Sequence, residues 1–229
     1  MSERSGGRPR QIDEADVVRA GRELGMRELS LNAVATRLNV SSTALYRLVD
    51  GRWGLERLVG EDLLDDLRLP DDPQHGLAEH LVSFGVRLGA FLLERPGLGA
   101  YVQTLFPRGE GGRRILADEI SVLVGRGYSP ESAMVVCSAV AGVAVAHAAA
   151  QDARRARGEE LAVQESAALA GVESDRRLGD ARQALPEIDD ARYTRLLLAA
   201  VVNGILAAAP PGRPVDEIID ALESTAGRS

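Results

Sequence analysis

Apolar residues in this chain recur at helical intervals, and proline and glycine cut the runs they make. Leu77, Leu81, Phe84, Leu88 and Phe91 follow one another at steps of four and three until Pro96-Gly97, which draws one apolar stripe along one helix. From Trp53 to Arg68 the residues Leu55, Leu58, Val59, Leu63 and Leu67 keep nearly the same spacing, and the pattern halts at Pro70-Asp71-Asp72-Pro73. Strand-like alternation is scarce. With 229 residues, enough for one large domain or two modest ones, the chain is expected to be all-α.

Further along, a short apolar segment from Leu98 to Phe106 is closed by Pro107 and the glycines Gly109, Gly111 and Gly112. Ile115, Leu116, Ile120, Leu123 and Val124 predict a helix that ends at Gly127. Ser129-Pro130 then opens another, because an N-cap serine satisfies orphan amides and a proline at the first helical position needs no donor. That helix is expected to reach about Arg154. Residues 155–188 have few large apolar side chains and are expected to be a solvated or mobile connection with some helical content. Asp189 and Asp190 can cap a helix bearing Tyr193, Leu196, Leu197, Val201 and Leu206, stopped by Pro210-Pro211-Gly212. A last short helix is expected from Pro214 to Thr225.

One cysteine excludes an intramolecular disulfide framework, and with three histidines it leaves no basis for a structural zinc site. No cofactor or metal is called for. The first twenty residues lack an apolar signal core, and no apolar run is expected to reach the roughly 18 residues of a membrane span. A cytoplasmic protein without a membrane partner is expected. The net charge of −7 argues against nucleic acid only until it is divided. Residues 1–60 hold ten arginines against eight acids, whereas the remainder holds seventeen against twenty-six. There is no lysine, so every fixed cation is a planar, five-donor guanidinium.

The informative segment is SLNAVATRLNVSSTALYRLVDGR, residues 30–52. Ser30 can cap a helix whose inner face is Leu31, Val34, Ala35 and Leu38. Asn39 tolerates the left-handed conformation of a tight turn, Val40 can plug the corner, and Ser41 can cap a second helix. In that helix Leu45, Leu48 and Val49 point inward, while Ser42, Thr43, Tyr46 and Arg47 share the outer face. Two short helices joined this way predict a helix-turn-helix whose outer face enters the major groove.

The run from Ile12 to Leu64, above all VSSTALYRLVDGRWGL, resembles the DNA-binding domain of the tetracycline-repressor-type (TetR) family of bacterial transcriptional regulators. Leu45-Tyr46 match the family's Leu-Tyr pair, and Arg52 falls where the family usually has lysine. Three features depart from the pattern. GRELGMRELS is about three residues short between the first two helices, Leu48 and Val49 replace an aromatic pair, and Ala44 replaces a common hydroxyl. The resemblance implies phosphate contacts from Tyr46 and Arg52, and base or phosphate contacts from Ser42, Thr43 and Arg47, with Arg37 nearby. Arg4, Arg8 and Arg10 would lie along a groove as an arm. It divides the chain into an arm (1–11), a DNA-binding domain (12–52), a linking helix and junction (53–73), and a ligand-binding and dimerisation domain (74–229).

GRGYSPESAMVVCSAVAGVAVAHAAAQ is similar in layout to the family's dimer-forming helix. The small residues Ala139, Gly142, Ala146 and Ala149, with Leu197, Ala200, Gly204 and Ala207, are expected to build a four-helix interface in a homodimer that spans a palindromic operator. An effector pocket is implied, with Phe91, Tyr101, Phe106, Cys137, His147, Gln151 and Asn203 on the helices around it. Phe84 and Leu88 are expected in the core, and His75 and His80 at the surface. The implied function is a repressor released from double-stranded DNA by a small molecule. A ligand-independent or activating regulator of the same fold is the alternative. An enzyme using His147 as base lacks any accompanying catalytic pattern.

Overall fold

The computed structural model describes residues 12–227, all of whose regular structure is helical. The arm arginines Arg4, Arg8 and Arg10 lie outside the described residues. The helix α1 (Glu14–Leu24) begins at a capping box in which Asp13 and Asp16 satisfy each other's backbone amides. Ser30 caps α2 (Leu31–Leu38) through the Ala33 amide, and Asn39 ends it in the left-handed conformation at φ 55°. The next helix, α3 (Ser42–Leu45), is a single turn. Ser41 stands at its N-cap but its hydroxyl makes no capping bond, contrary to expectation. The backbone continues as tight turns to Val49, and Leu45 and Val49 are buried as their spacing predicts.

Helix α4 (Gly51–Leu64) runs from this head into the body, where α5 (Leu77–Leu93), α6 (Leu98–Thr104), α7 (Glu110–Gly125) and α8 (Pro130–Arg155) surround a common core. Helix α8 is the central strut, in contact with α5, α6 and α7 and with the later α11 (Asp190–Ala208). Ser129 caps α8 and Asp189 caps α11, as the sequence signals require. The chain ends on α12 (Val215–Ala226), which inserts Ile218 into the core.

Three expectations need correction. Gly111 and Gly112 do not close a loop; they form the first turn of α7. A Cβ on Gly111 would lie 2.5 Å from the Glu61 carbonyl oxygen, so glycine there is a requirement of the α4–α7 approach and not a helix stop. His80 is buried, because α5 turns it inward beside Leu81 and Phe84; its two ring nitrogens lie 3.0 Å from Asp71 and 3.0 Å from Glu119. Residues 155–188 carry α9 (Gly158–Ser174) and α10 (Gly179–Gln183), and α9 buries no residue. Finally, α8 and α11 are long and apolar enough to cross a membrane, which the expectation of no such run missed. Helix α6 approaches α8 closely at Ala149, where a Cβ on Gly99 would lie 3.2 Å from the Ala149 Cα.

Head and body are held together by buried polar groups. Glu61 of α4 accepts the Tyr101 hydroxyl at 2.8 Å and the Gly112 amide at 2.8 Å, so a carboxylate sits at the positive N-terminal end of α7. Burial, then the adjacent carboxylate, pushes the Tyr101 hydroxyl far up from its ordinary pKa. Arg114 of α7 donates to the carbonyls of Leu64 and Leu67, which caps the end of α4.

Candidate functional site

The outer surface of the head is built by the turn at Asn39. Because this residue leaves α2 in a left-handed conformation, α3 crosses it and presents its polar side outward. Thr43, Tyr46 and Arg47 are exposed there, and Tyr46 is 60% accessible despite its apolar ring. Arg47 makes no ion pair among the described residues. The Ser42 hydroxyl donates to Asn32 at 2.8 Å, which orients it from the preceding helix. Arg37 is held by Glu23 of α1, at 2.8 Å from its Nε, on the flank of this surface. Arg52, in the first turn of α4, has its Nε 2.7 Å from Glu56 and remains largely exposed.

A second site lies in the body, a cavity of about 490 Å³ between α4, α5, α6, α7 and α8. Its volume is within the range typical of small-molecule sites. Leu64, Phe84 and Leu88 line one side; Val102, Gln103, Phe106 and Pro107 come from α6 and the segment after it. Ile115 and Leu116 of α7 and Met134, Cys137, Ser138, Ala141, Gly142 and Val145 of α8 complete the wall. Among the described residues, no charged side chain lines it. Burial, reinforced by the Glu119 charge, pushes the Cys137 thiol up to about 12, so it stays protonated near neutrality and is a poor nucleophile.

Of the seven residues expected around an effector, only Phe106 and Cys137 line this cavity. Tyr101 is turned to Glu61, and Phe91 lies under the Arg95 guanidinium at 3.6 Å. His147 faces α11 instead, where its Nε2 is 2.9 Å from the Thr194 hydroxyl oxygen; Gln151 is one turn further on and Asn203 is exposed on α11. Phe91, Tyr101, His147 and Gln151 sit on α5, α6 and α8, which border the cavity, but do not line it, and Asn203 sits on α11, which has no residue in the wall. Phe84 and Leu88 are buried, as expected, and they also line the cavity. Gln103, Ser138 and Met134 were missed, since one polar or thioether side chain on a helix carries no signal of the cavity beside it.

The small-residue stripes divide. Gly142, Ala146, Ala200, Gly204 and Ala207 are exposed, whereas Ala139, Ala149 and Leu197 are half-buried within the subunit. Gly142 also reaches the cavity wall. A Cβ on Gly142 or Gly204 would meet nothing within 4 Å, so neither glycine is required by packing within the chain. Among the described residues, no group of three or more His, Cys, Asp or Glu is arranged to hold a metal ion.

Comparison with known proteins gives the fold a precedent. No protein-family profile matches the sequence, and no curated protein matches it. The structure is similar to that of the Streptomyces coelicolor TetR family protein ActR in complex with actinorhodin, at 21% identity and a TM-score of 0.75, over 89% of this chain and 100% of that one. Apo ActR from the same organism is similar at 21% identity and a TM-score of 0.72, over 87% of this chain and 97% of that chain. A TetR variant from Acinetobacter baumannii AYE in complex with minocycline is similar at 19% identity and a TM-score of 0.61, over 86% of this chain and 98% of that chain. The chain thus has the all-α fold of TetR-type structures, in agreement with the resemblance carried by residues 12–64.

Proposed function

We propose that this protein is a ligand-responsive DNA-binding transcriptional regulator, and that it acts as a repressor released from its operator by a small molecule. The observation that carries this reading is the coexistence of an exposed Thr43-Tyr46-Arg47 surface and an uncharged cavity in one helical frame. Tyr46 and Arg52 bind phosphates; Ser42, Thr43 and Arg47 approach base edges, and Arg37 adds positive charge at the flank. Ligand complexes of ActR and TetR in the same fold support an effector role for the cavity. Because the wall is built of uncharged side chains, the effector is a neutral, largely apolar molecule with one or two hydrogen-bonding groups for Gln103 or Ser138.

The acting species is a homodimer on a palindromic site in the cytoplasm. Helix α11 has an apolar stretch of which only 17% is buried, and its exposed Ala200, Gly204 and Ala207 would close against α8 and α11 of a second copy. The effector must bind the released conformer more tightly than the DNA-bound one, since only differential affinity shifts the balance.

Selection of genomic fragments by the purified protein tests the reading. Recovery of a palindromic fragment, retarded by wild-type protein and more weakly by Arg47→Ala, is expected. Equal enrichment of all fragments would refute sequence-specific regulation, and equal binding by Arg47→Ala would refute the assignment of the reading surface.

A further inference from the structure

Arg108 follows directly on Phe106-Pro107, which form part of the cavity wall. Its side chain is only 4% exposed. The guanidinium lies 4.5 Å from the Trp53 ring centroid and 4.3 Å from that of Tyr101, and it donates to the carbonyls of Leu105 and Tyr101, each at 3.2 Å. A further partner is Glu56 of α4, at 3.3 Å. The other oxygen of the same carboxylate accepts from Arg52 at 2.7 Å. Glu56 is therefore divided between an arginine of the cavity segment and an arginine of the DNA-facing surface.

We infer that Glu56 is a positioning residue for DNA binding, whose hold on Arg52 is set by Arg108. The inference rests on the assignment of Arg52 to a phosphate. While Arg108 is seated between Trp53 and Tyr101, it takes part of the carboxylate charge and weakens the 2.7 Å bond to Arg52, so that a phosphate can compete for that guanidinium. When the Phe106–Arg108 segment is displaced, Glu56 gives its whole charge to Arg52 and keeps it from the DNA. A change at the cavity wall reaches the phosphate contact through one carboxylate.

The test is a double-mutant cycle on binding to a short duplex of arbitrary sequence, measured from low to moderate salt, with thermal unfolding to confirm that each variant is folded. Arg108→Met is expected to weaken binding and to flatten the salt dependence by about 0.9 per protomer, the share of one phosphate contact. For each protomer this amounts to about 3.5-fold in relative affinity between roughly 50 and 200 mM salt. Glu56→Gln is expected to tighten binding, and Glu56→Gln with Arg108→Met is expected to behave as Glu56→Gln alone. If Arg108→Met weakens binding as much in the Glu56→Gln background as in wild type, Glu56 is not the link and the inference fails. Should Arg108→Met not fold, the gain from Glu56→Gln must vanish in an Arg52→Met background; a gain that persists there overturns the inference equally. Absence of wild-type binding to any duplex would instead refute DNA binding itself, and the role of Glu56 with it.

Discussion

Arg27, in the turn after α1, places its guanidinium 2.5 Å from the Asp152 carboxylate near the end of α8, 125 residues away in sequence. The same carboxylate accepts the Gly97 amide at 2.9 Å, and the Arg27 amide donates to Pro96 at 3.1 Å. One acid thus ties the head to both the central helix and the α5–α6 turn. Asp152→Ala would leave the Gly97 amide and the guanidinium without this partner, so a loss of about 1–3 kcal/mol is expected. Urea unfolding followed by circular dichroism measures it, and an unchanged midpoint would show the tie to be dispensable.

Gly97 has φ 88°, and a Cβ on it would lie 2.5 Å from the Arg27 amide nitrogen. Gly97→Ala meets both backbone strain and a backbone clash. A loss of more than about 2 kcal/mol is expected. Gly142→Ala, on an open helical face, is the contrasting variant and is expected to be neutral or slightly stabilising as isolated protein. Similar losses from the two substitutions would contradict this account of the junction.

Alkaline pH probes the buried acids. Burial and Glu119 push Cys137 up from 9.0 to about 12, burial and Glu61 push Tyr101 up from 10.0, and burial pushes Tyr128 up from 10.0. Each of these groups holds its proton more tightly folded than unfolded. Their contribution is whole below the unfolded values and is lost as pH rises through the folded ones, starting above pH 9 with Cys137. Within its window each group contributes a slope of about 1.4 kcal/mol per pH unit. Cys137→Ala is expected to flatten the first part of that decline, and stability curves of equal slope between pH 9 and 10 would rule out the buried-thiol account.

The cavity can be tested with an unrelated probe. N-phenylnaphthylamine, a neutral apolar fluorophore, is expected to brighten on binding to the wild-type protein. Ala141→Trp fills the space between α5 and α8 and is expected to abolish most of that gain while the protein stays folded. Undiminished brightening would put the probe elsewhere.

On DNA, Tyr46→Phe removes one hydroxyl from an exposed ring, and Arg47→Ala removes an exposed cation. Both are expected to weaken operator binding, and Arg47→Ala should cost about 1–3 kcal/mol of discrimination at its base position. Arg37 is already held by Glu23, so Arg37→Ala should cost less than either. A gel-retardation series on the selected fragment ranks the three, and a larger loss from Arg37→Ala would reverse their assignment.

Local chemistry alone determines where many of the helices begin and end. Ser30, Ser129 and Asp189 reach amides three residues on, and Asn39 needs only its own backbone to turn the chain; signals confined to so few neighbours survive without knowledge of the fold. The apolar steps from Leu77 to Phe91 likewise determine a buried stripe, because helical periodicity alone puts those residues on one face. Tertiary structure decided which faces enclose a cavity and which charges meet. His147 and Cys137 share α8, yet a rotation of their side chains around one helix axis sends one to α11 and the other to the cavity. Gly111 reads as a stop until the carbonyl of Glu61 is beside it, and Glu56 reads as a solvated charge until Arg108 arrives from 52 residues away. The periodicity of one helix cannot specify its phase relative to another, and it is that phase which decides which helical faces meet in the junction and around the cavity.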